Sequence, residues 1–255
     1  MNTMKEQFLP DHLKADFENQ IKLHGLVEYH SDLIEMARPK LSLILDHALD
    51  EIPLGISRIG GAPDVSLLEE WRSPKTGKYN VFYLQVNLNE VPNSSFYKIP
   101  KSGLLSLYSD NQNMVGSGPI LIFNKEVDKL KQYPLPTLGE YCDEDLSEDH
   151  LPACHKQPKK FIIKESIWLS NEYPPDSIYE AGGEIEEAYF NLLDHYNTGI
   201  VDMCTPDSSG DKSCLFRLYG SEYFEFGDCG TDYISAKQDE TGFNFTEITE
   251  WNHDY

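Results

Sequence analysis

The sequence has no long apolar segment and no paired-cysteine motif. No window approaches about 18 consecutive apolar residues, and residues 1–17 lack the basic and then apolar stretches of a secretory signal. The five cysteines form an odd set without any Cys-x-x-Cys pair, which argues against a disulfide framework and a standard zinc site. We therefore expect a cytoplasmic protein with reduced thiols.

Familiar catalytic and nucleotide-binding motifs are also absent. The sequence contains no Gly-x-Gly-x-x-Gly, no Walker loop, no Gly-x-Ser-x-Gly and no His-Glu-x-x-His. Cys142, Cys154 and His155 come closest to a metal or thiol site, but their spacing fits no standard zinc pattern. The sequence thus predicts no catalytic residue, no metal and no cofactor, and we expect a protein that is not an enzyme.

Basic residues are scarce in the last third of the chain. Residues 165–255 contain 20 Asp and Glu residues against Lys212, Arg217 and Lys237, so about −17 of the net charge of −22 lies there. Such a field repels nucleic acid and anionic membranes and attracts basic proteins or cations. The alternative is that the acidity only keeps the protein soluble.

Three segments have the apolar spacing of amphipathic helices. Leu13, Phe17 and Ile21 recur every four residues between Pro10 and Gly25, which predicts a first helix. A shorter helix through DLIEMA must end by Arg38, because a proline follows. GEIEEAYFNLLDHY, with acidic residues in its first turn, predicts the third helix.

Between these helices the apolar residues form short runs bounded by turn residues, as in β-strands. The first set of runs is LSLIL, GISRIGG, YNVFYLQVNL, GLLSLYSD and GPILIFN, and the second is FIIKESIWL, SCLFRLYG, the run ending in TDYISA, and FNFTEITEW. The pattern predicts an α+β fold of mainly antiparallel β-sheet, in two pseudo-repeat halves with amphipathic helices before each half.

An acidic, proline-containing stretch separates the two sets of strands. Its composition is typical of a loop or linker, and it covers residues 139–160. We accordingly divide the chain into an N-terminal helical segment at 1–39, a first β-rich half at 40–138, this linker, and a second, strongly acidic β-rich half at 161–255.

The stretch RIGGAPDV is the first candidate site. Gly60 and Gly61 can adopt positive φ, and Asp64 can bind neighbouring backbone amides, which favours a tight corner between strands. In the alternative, Arg58 and Asp64 point into a cleft and hold a polar group of a partner. Gln85 follows four apolar residues, so its amide is either buried and bonded to backbone or faces a pocket.

A second candidate site is the turn GDCGTD. Asp228 and Asp232 flank it at a spacing that would let two carboxylates meet a cation, but the oxygen ligands of an EF-hand loop are missing. A turn stabilised by its own side chains is the alternative.

These motifs resemble the YwqG-like family, also called DUF1963, over roughly residues 40–255. The resemblance rests on SRIGGAPDV, Trp71, the strand VFYLQVNL and PKSGLLSLYSD in the first half, and on CLFRLYG, FGDCGTDYISA and FTEITEW in the second. The chain departs from the family pattern at Arg72, where a proline is usual, and near Arg217, where the glutamine of the second strand is replaced. The family's second Gly-x-Pro turn is barely visible within residues 195–207.

The resemblance and the charge together suggest a function. Some members of the family lie beside genes for secreted toxins, so the resemblance implies an immunity role. We expect a non-enzymatic protein-binding module that neutralises a basic, toxin-like partner. The candidate binding residues are Arg58, Asp64, Trp71, Gln85, Asp228 and Asp232.

Two alternatives stay open. The protein could bind a small ligand, or act as an enzyme of unknown reaction, in a cleft between the halves lined by Arg58, Asp64, Gln85 and Asp228. It could also be a structural or regulatory protein whose acidity is incidental.

Overall fold

A computed structural model describes most of the chain as an α+β protein built on one curled β-sheet. The described residues are 9–93, 96–111, 119–147, 151–170, 174–206, 213–221, 231–239 and 242–254. The helices are α1 Asp11–Leu23, α2 His30–Met36, α3 Asp176–Ala181 and α4 Gly183–Tyr196. The strands are β1 Arg38–Ala48, β2 Arg58–Ile59, β3 Asp64–Val65, β4 Val81–Asn87, β5 Leu104–Ser109, β6 Ile120–Asn124, β7 Lys131–Gln132, β8 Lys159–Trp168, β9 Val201–Pro206, β10 Ser213–Tyr219, β11 Thr231–Asp239 and β12 Gly242–Asp254.

The three predicted helices are confirmed as α1, α2 and α4. The apolar face of α1, formed by Leu13, Phe17 and Ile21, is buried, and Gly25 follows the helix with a φ of 74°. α4 covers the predicted segment and buries Tyr189 and Leu192. These faces pack together in one apolar cluster, which explains why short helices are stable here. The sequence did not predict α3, a six-residue helix.

Ten of the twelve strands in the described residues form the main sheet, in the order β12-β11-β10-β9-β1-β8-β2-β4-β5-β6. The pairings between its described strands are antiparallel. The sheet curls strongly, so that Phe123 on β6 and Phe245 on β12 lie with their ring centroids 5.2 Å apart although these strands are at opposite ends of the sheet order. β3 and β7 form a separate two-stranded sheet.

Strands from the two predicted halves interleave. β8 pairs with both β1 and β2, and β1 pairs with β9, so strands from 40–138 and 161–255 alternate at the centre of the sheet. The antiparallel α+β architecture is therefore confirmed, while two separate pseudo-repeat halves are not. The domain boundaries stay a prediction.

The two faces of the sheet differ in polarity. The main apolar core contains Leu43, Ile59, Leu84, Val201 and Phe216, which lie on one face. Cross-strand partners share a face, so their neighbours in sequence form polar rows on the other. One row joins Ser42, Asp202, Arg217 and Tyr233, and the other joins Arg58, Gln85 and Ser106. All seven side chains are buried.

The predicted linker 139–160 contains no α-helix in its described part and reaches a long strand only at Lys159, where β8 begins, but it is packed against the core. Tyr141 and Cys154 are buried in the main apolar cluster, and Tyr79 forms an isolated bridge with Tyr141. The segment is therefore a loop that contributes to the core.

Among the described residues, no helix has both the length and the apolar character needed to cross a membrane.

Candidate functional site

The glycine corner links β2 to β3, as the sequence predicted. Gly60 and Gly61 have φ values of 72° and 70°. A Cβ atom at Gly60 would lie 3.1 Å from the carbonyl oxygens of both Ala153 and Lys156. Glycine is therefore needed for its backbone conformation and for the close approach of the 153–156 loop.

Arg58 and Asp64 form a buried ion pair across this corner. Arg58 Nη1 donates to Asp64 Oδ2 at 3.0 Å, and Nη2 donates to Oδ1 at 3.1 Å. Nη2 also donates to the carbonyl of Ala62 inside the turn. Both side chains are fully buried. This bidentate geometry is the strong form of an arginine–carboxylate pair, and it fixes the shape of the corner.

Gln85 completes the same cluster from the neighbouring strand β4. Its Nε2 donates to Asp64 Oδ2 at 2.7 Å and to the carbonyl of Ile56 at 2.8 Å, while its Oε1 accepts from the Asp64 amide at 3.1 Å. The Gly55 amide donates to Asp64 Oδ2 at 2.7 Å. Of the two alternatives for Gln85, the structure therefore shows the buried amide bonded to backbone.

This cluster keeps the charged guanidinium of Arg58 in the protein interior. Burial lowers the pKa of Arg58, and Asp64 opposes that shift by its charge and hydrogen bonds. Because both carboxylate oxygens of Asp64 already accept hydrogen bonds from Arg58, the cluster can hold the corner rigid but presents no open ligand position to solvent. Its role as a binding site stays a prediction.

Of the other three candidates, Trp71 and Asp232 belong to other elements of the fold. Trp71 is buried, donates from Nε1 to the carbonyl of Asn80 at 2.9 Å and packs edge-on against Tyr79. Asp232 lies in β11, opposite Leu218 and His253. Asp228 lies outside the described residues. The structure thus brings together three of the six candidates, Arg58, Asp64 and Gln85.

A second buried ion pair was missed in the sequence. Lys40 Nζ on β1 lies 2.7 Å from Asp202 Oδ2 on β9, and both side chains are buried. Ser42 donates to Asp202 Oδ1 at 2.7 Å, and the Tyr219 hydroxyl donates to Oδ2 at 2.7 Å. Burial lowers the pKa of Lys40, although Asp202 opposes the shift. The available signal was a lysine within the apolar run of β1, two residues before Ser42.

Aromatic rings extend this second cluster. The guanidinium of Arg217 lies 5.0 Å from the ring centroid of Tyr219 and 5.1 Å from that of Tyr233. Burial, with the neighbouring charge of Asp202, holds the pKa of Tyr219 well above its usual value. Arg217 therefore belongs to a cation–π arrangement next to the Lys40–Asp202 pair.

The cysteine and histidine group does not converge on one point. The Tyr141 hydroxyl lies 3.2 Å from Cys154 Sγ and 3.0 Å from His155 Nε2, whereas Cys142 contacts Thr76. Burial raises the pKa of Cys154 to about 11, which keeps its thiol neutral at physiological pH. Within the described part of the chain, no three His, Cys, Asp or Glu side chains are grouped as metal ligands.

Comparison with known proteins identifies the family. No curated protein sequence matches the chain. The family model for a domain of unknown function, DUF1963, matches residues 57–249, which is more than half of the chain and includes the Arg58–Asp64–Gln85 cluster. As the motifs of the first half predicted, the chain belongs to the DUF1963 family.

Proposed function

We propose that the protein is a non-enzymatic binding module that engages a basic protein through the acidic surface of α3 and α4. The observation that carries this proposal is a set of exposed carboxylates on these two helices, with aromatic side chains among them. Residues 165–211 contain no lysine or arginine to neutralise them. The resemblance to relatives found beside toxin genes favours an immunity role, in which a basic toxin is the partner.

The surface is defined by six residues and is called the acidic helical face. It contains Tyr179, Glu180, Glu184, Glu187, Phe190 and Asp194, all of which are exposed. The ion pairs among the described residues use other acids, so these four carboxylates are not neutralised by the described lysines and arginines. A basic partner would therefore be steered toward this face by charge.

Two aromatic side chains provide short-range contacts on the same face. Tyr179 is 68% exposed and Phe190 is 38% exposed. Glu187, Phe190 and Asp194 follow one another at helical spacing on α4, so a partner that covers Phe190 also meets both carboxylates. Buried aromatic anchors surrounded by charged residues are a common arrangement in protein interfaces.

The alternative cleft is less well supported. Arg58, Asp64 and Gln85 bind one another inside the protein, so a ligand would have to break the cluster to reach them. Binding by the exterior requires no such rearrangement.

We also propose that the two buried polar rows are equivalent parts of a pseudo-repeat, and that the protein acts in the cytoplasm.

The test is capture of partners by the immobilised protein, at low salt and at about 0.5 M salt, where exposed charges are heavily screened. The test variant is Glu180→Gln/Glu187→Gln/Asp194→Asn. The matched control is Asp50→Asn/Glu51→Gln/Glu69→Gln, which removes the same charge from exposed positions outside α3 and α4. We expect wild type and the control to capture a basic protein. That protein should not be captured by the test variant, or by wild type at high salt.

Two results would refute the proposal. One is that no basic protein is retained in a salt-sensitive way. The other is that both triple variants weaken capture equally, because that outcome would assign the attraction to net charge and not to this face. A further variant, Tyr179→Ser/Phe190→Ser, should lose binding even at low salt if the aromatic contacts contribute.

A further inference from the structure

A cavity of about 280 Å³ lies between α1, α4 and the strands β1 and β8. Its lining includes the buried residues Leu13, Ser42, Ser166 and Tyr196, together with the exposed residues Asp16 and Lys164. α1 and β1 precede the family-matched span at residues 57–249, so part of this cavity is built by residues outside the DUF1963 domain. It is separate from the acidic helical face.

Three of the hydroxyl groups in the lining donate their protons to other groups of the protein. Ser42 donates to Asp202 Oδ1 at 2.7 Å, Ser166 donates to the Tyr196 carbonyl at 3.1 Å, and the Tyr196 hydroxyl donates to Asp16 Oδ2 at 2.9 Å. Each acceptor is a carboxylate or a carbonyl, so the direction of these bonds is unambiguous. The three oxygens therefore have lone pairs, and no protons, to offer a ligand.

Two carboxylates add to the hydrogen-bond acceptors that this lining offers. Asp16 is exposed, and its Oδ2 carries only the Tyr196 bond among the described contacts. Glu165 also lines the cavity, and His12 Nε2 and Asn93 Nδ2 each lie 2.9 Å from its Oε2. A lining rich in acceptors and carboxylates favours a ligand that brings several donors and a positive charge.

We propose that this cavity binds a small molecule through a primary ammonium group. The three ammonium donors match the oxygens of Asp16, Ser42 and Ser166, and the carbon chain of the ligand lies against Leu13 and Ile44, which also line the cavity. The net charge of −22 raises the local concentration of cations. Lys164 is placed to contact a carboxylate when the ligand also carries one.

Isothermal titration calorimetry of the full chain at pH 7 tests the proposal with three probes. n-Butylammonium carries the ammonium group alone and is protonated at this pH, as lysine is. 4-Aminobutyrate adds a carboxylate, and n-butanol is the neutral control of similar size. We expect saturable binding of the two ammonium probes and none of n-butanol, with both probes measured at constant ionic strength.

Matched variants assign the binding to the cavity. Asp16→Asn should weaken n-butylammonium binding by about tenfold, the loss expected for one charge-assisted hydrogen bond. Asp11→Asn removes the same charge from an exposed position on the same helix, outside the cavity lining, and should leave affinity unchanged. If Lys164 contacts the carboxylate, Lys164→Met should weaken the binding of 4-aminobutyrate and leave the binding of n-butylammonium unchanged. If wild type binds both probes with equal affinity, recognition is assigned to the ammonium group alone.

The proposal is overturned if neither ammonium probe saturates. It is also overturned if Asp16→Asn and Asp11→Asn weaken binding equally, since the attraction would then be a general field effect. Circular dichroism of each variant shows that its fold is kept. Because the partner-capture experiment uses other residues, the acidic helical face and this cavity succeed or fail separately.

Discussion

The two buried ion pairs differ in the distance along the chain that they span. Arg58 and Asp64 are six residues apart and close one corner within the family domain. Lys40 and Asp202 are 162 residues apart and join β1, which precedes that domain, to β9 within it. The first pair therefore shapes a local turn, whereas the second selects which distant strands become neighbours.

The two cations also respond differently to the loss of their partner. A guanidinium stays charged in proteins, so Arg58 cannot escape burial by releasing a proton. Lysine can do so, and burial already lowers the pKa of Lys40. The same substitution of the acid should accordingly destabilise the two sites by different amounts and with different pH dependence.

The largest effect is expected for Asp64→Ala. This change leaves the Arg58 charge buried without its carboxylate and should lower the free energy of unfolding by about 3–5 kcal/mol. Urea denaturation followed by circular dichroism at pH 7 measures it. A loss below about 1 kcal/mol, the usual range for exposed pairs, would show that water reaches Arg58 in solution.

Asp202→Ala is the matched change in the second pair and should cost about 2–3 kcal/mol at pH 7. The folded state then holds Lys40 with fewer bound protons than the unfolded chain, so the stability of the variant should rise toward wild type as pH increases. Urea midpoints of variant and wild type at pH 7 and at about pH 9.5, below the ordinary lysine pKa, test this. A difference in urea midpoint between Asp202→Ala and wild type that is the same at both pH values would contradict neutralisation of Lys40. Asp64→Ala is the control, and its difference from wild type should not change with pH.

A smaller effect is expected for Gly60→Ala, with Gly25→Ala as its control. The two glycines have nearly equal φ values, 72° and 74°, but only Gly60 faces backbone carbonyls at 3.1 Å, while nothing lies within 4 Å of a Cβ at Gly25. We expect losses of roughly 2 kcal/mol and roughly 1 kcal/mol respectively, because the first adds a steric cost to the same backbone strain. If thermal denaturation shows the same loss of stability for both variants, the 153–156 loop moves to admit the Cβ atom at residue 60 without a free-energy cost.

The smallest effect concerns reactivity and not stability. Burial raises the pKa of Cys154 to about 11, so at pH 8 its thiol should be protonated and resist iodoacetamide, while the half-buried Cys142 reacts. Peptide mapping by mass spectrometry separates the two sites. Labelling of Cys154 at the rate of Cys142 would mean that the loop packed around Tyr141 opens in solution.

Local features of the sequence predicted much of the fold. α1 and α4 were predicted because their apolar residues repeat at helical spacing, and the corner at Gly60 because two glycines precede a proline and an aspartate. In these cases the interactions that decide the structure lie within a few residues. For Gln85, the apolar residues around it on its strand offered burial as one of two alternatives, and the structure shows burial.

Other features depend on contacts between distant residues. β9 was not predicted because VDMCTP contains Asp202, whose burial makes sense only with Lys40 as its partner. The core position of Tyr141 was hidden by the acidic composition around it, since packing against Tyr79 and Cys154 is a property of the folded chain. Neither partner can be identified from local composition.

The place of β8 between β1 and β2 has a consequence for synthesis on the ribosome. β1 and β2 are complete after residue 59, but the strand that joins them begins only at Lys159. At about 5–20 residues per second, the two strands therefore wait at least several seconds for their common neighbour. During that time their exposed edges are open to mispairing, and a nascent chain ending before β8 is a natural target for chaperones.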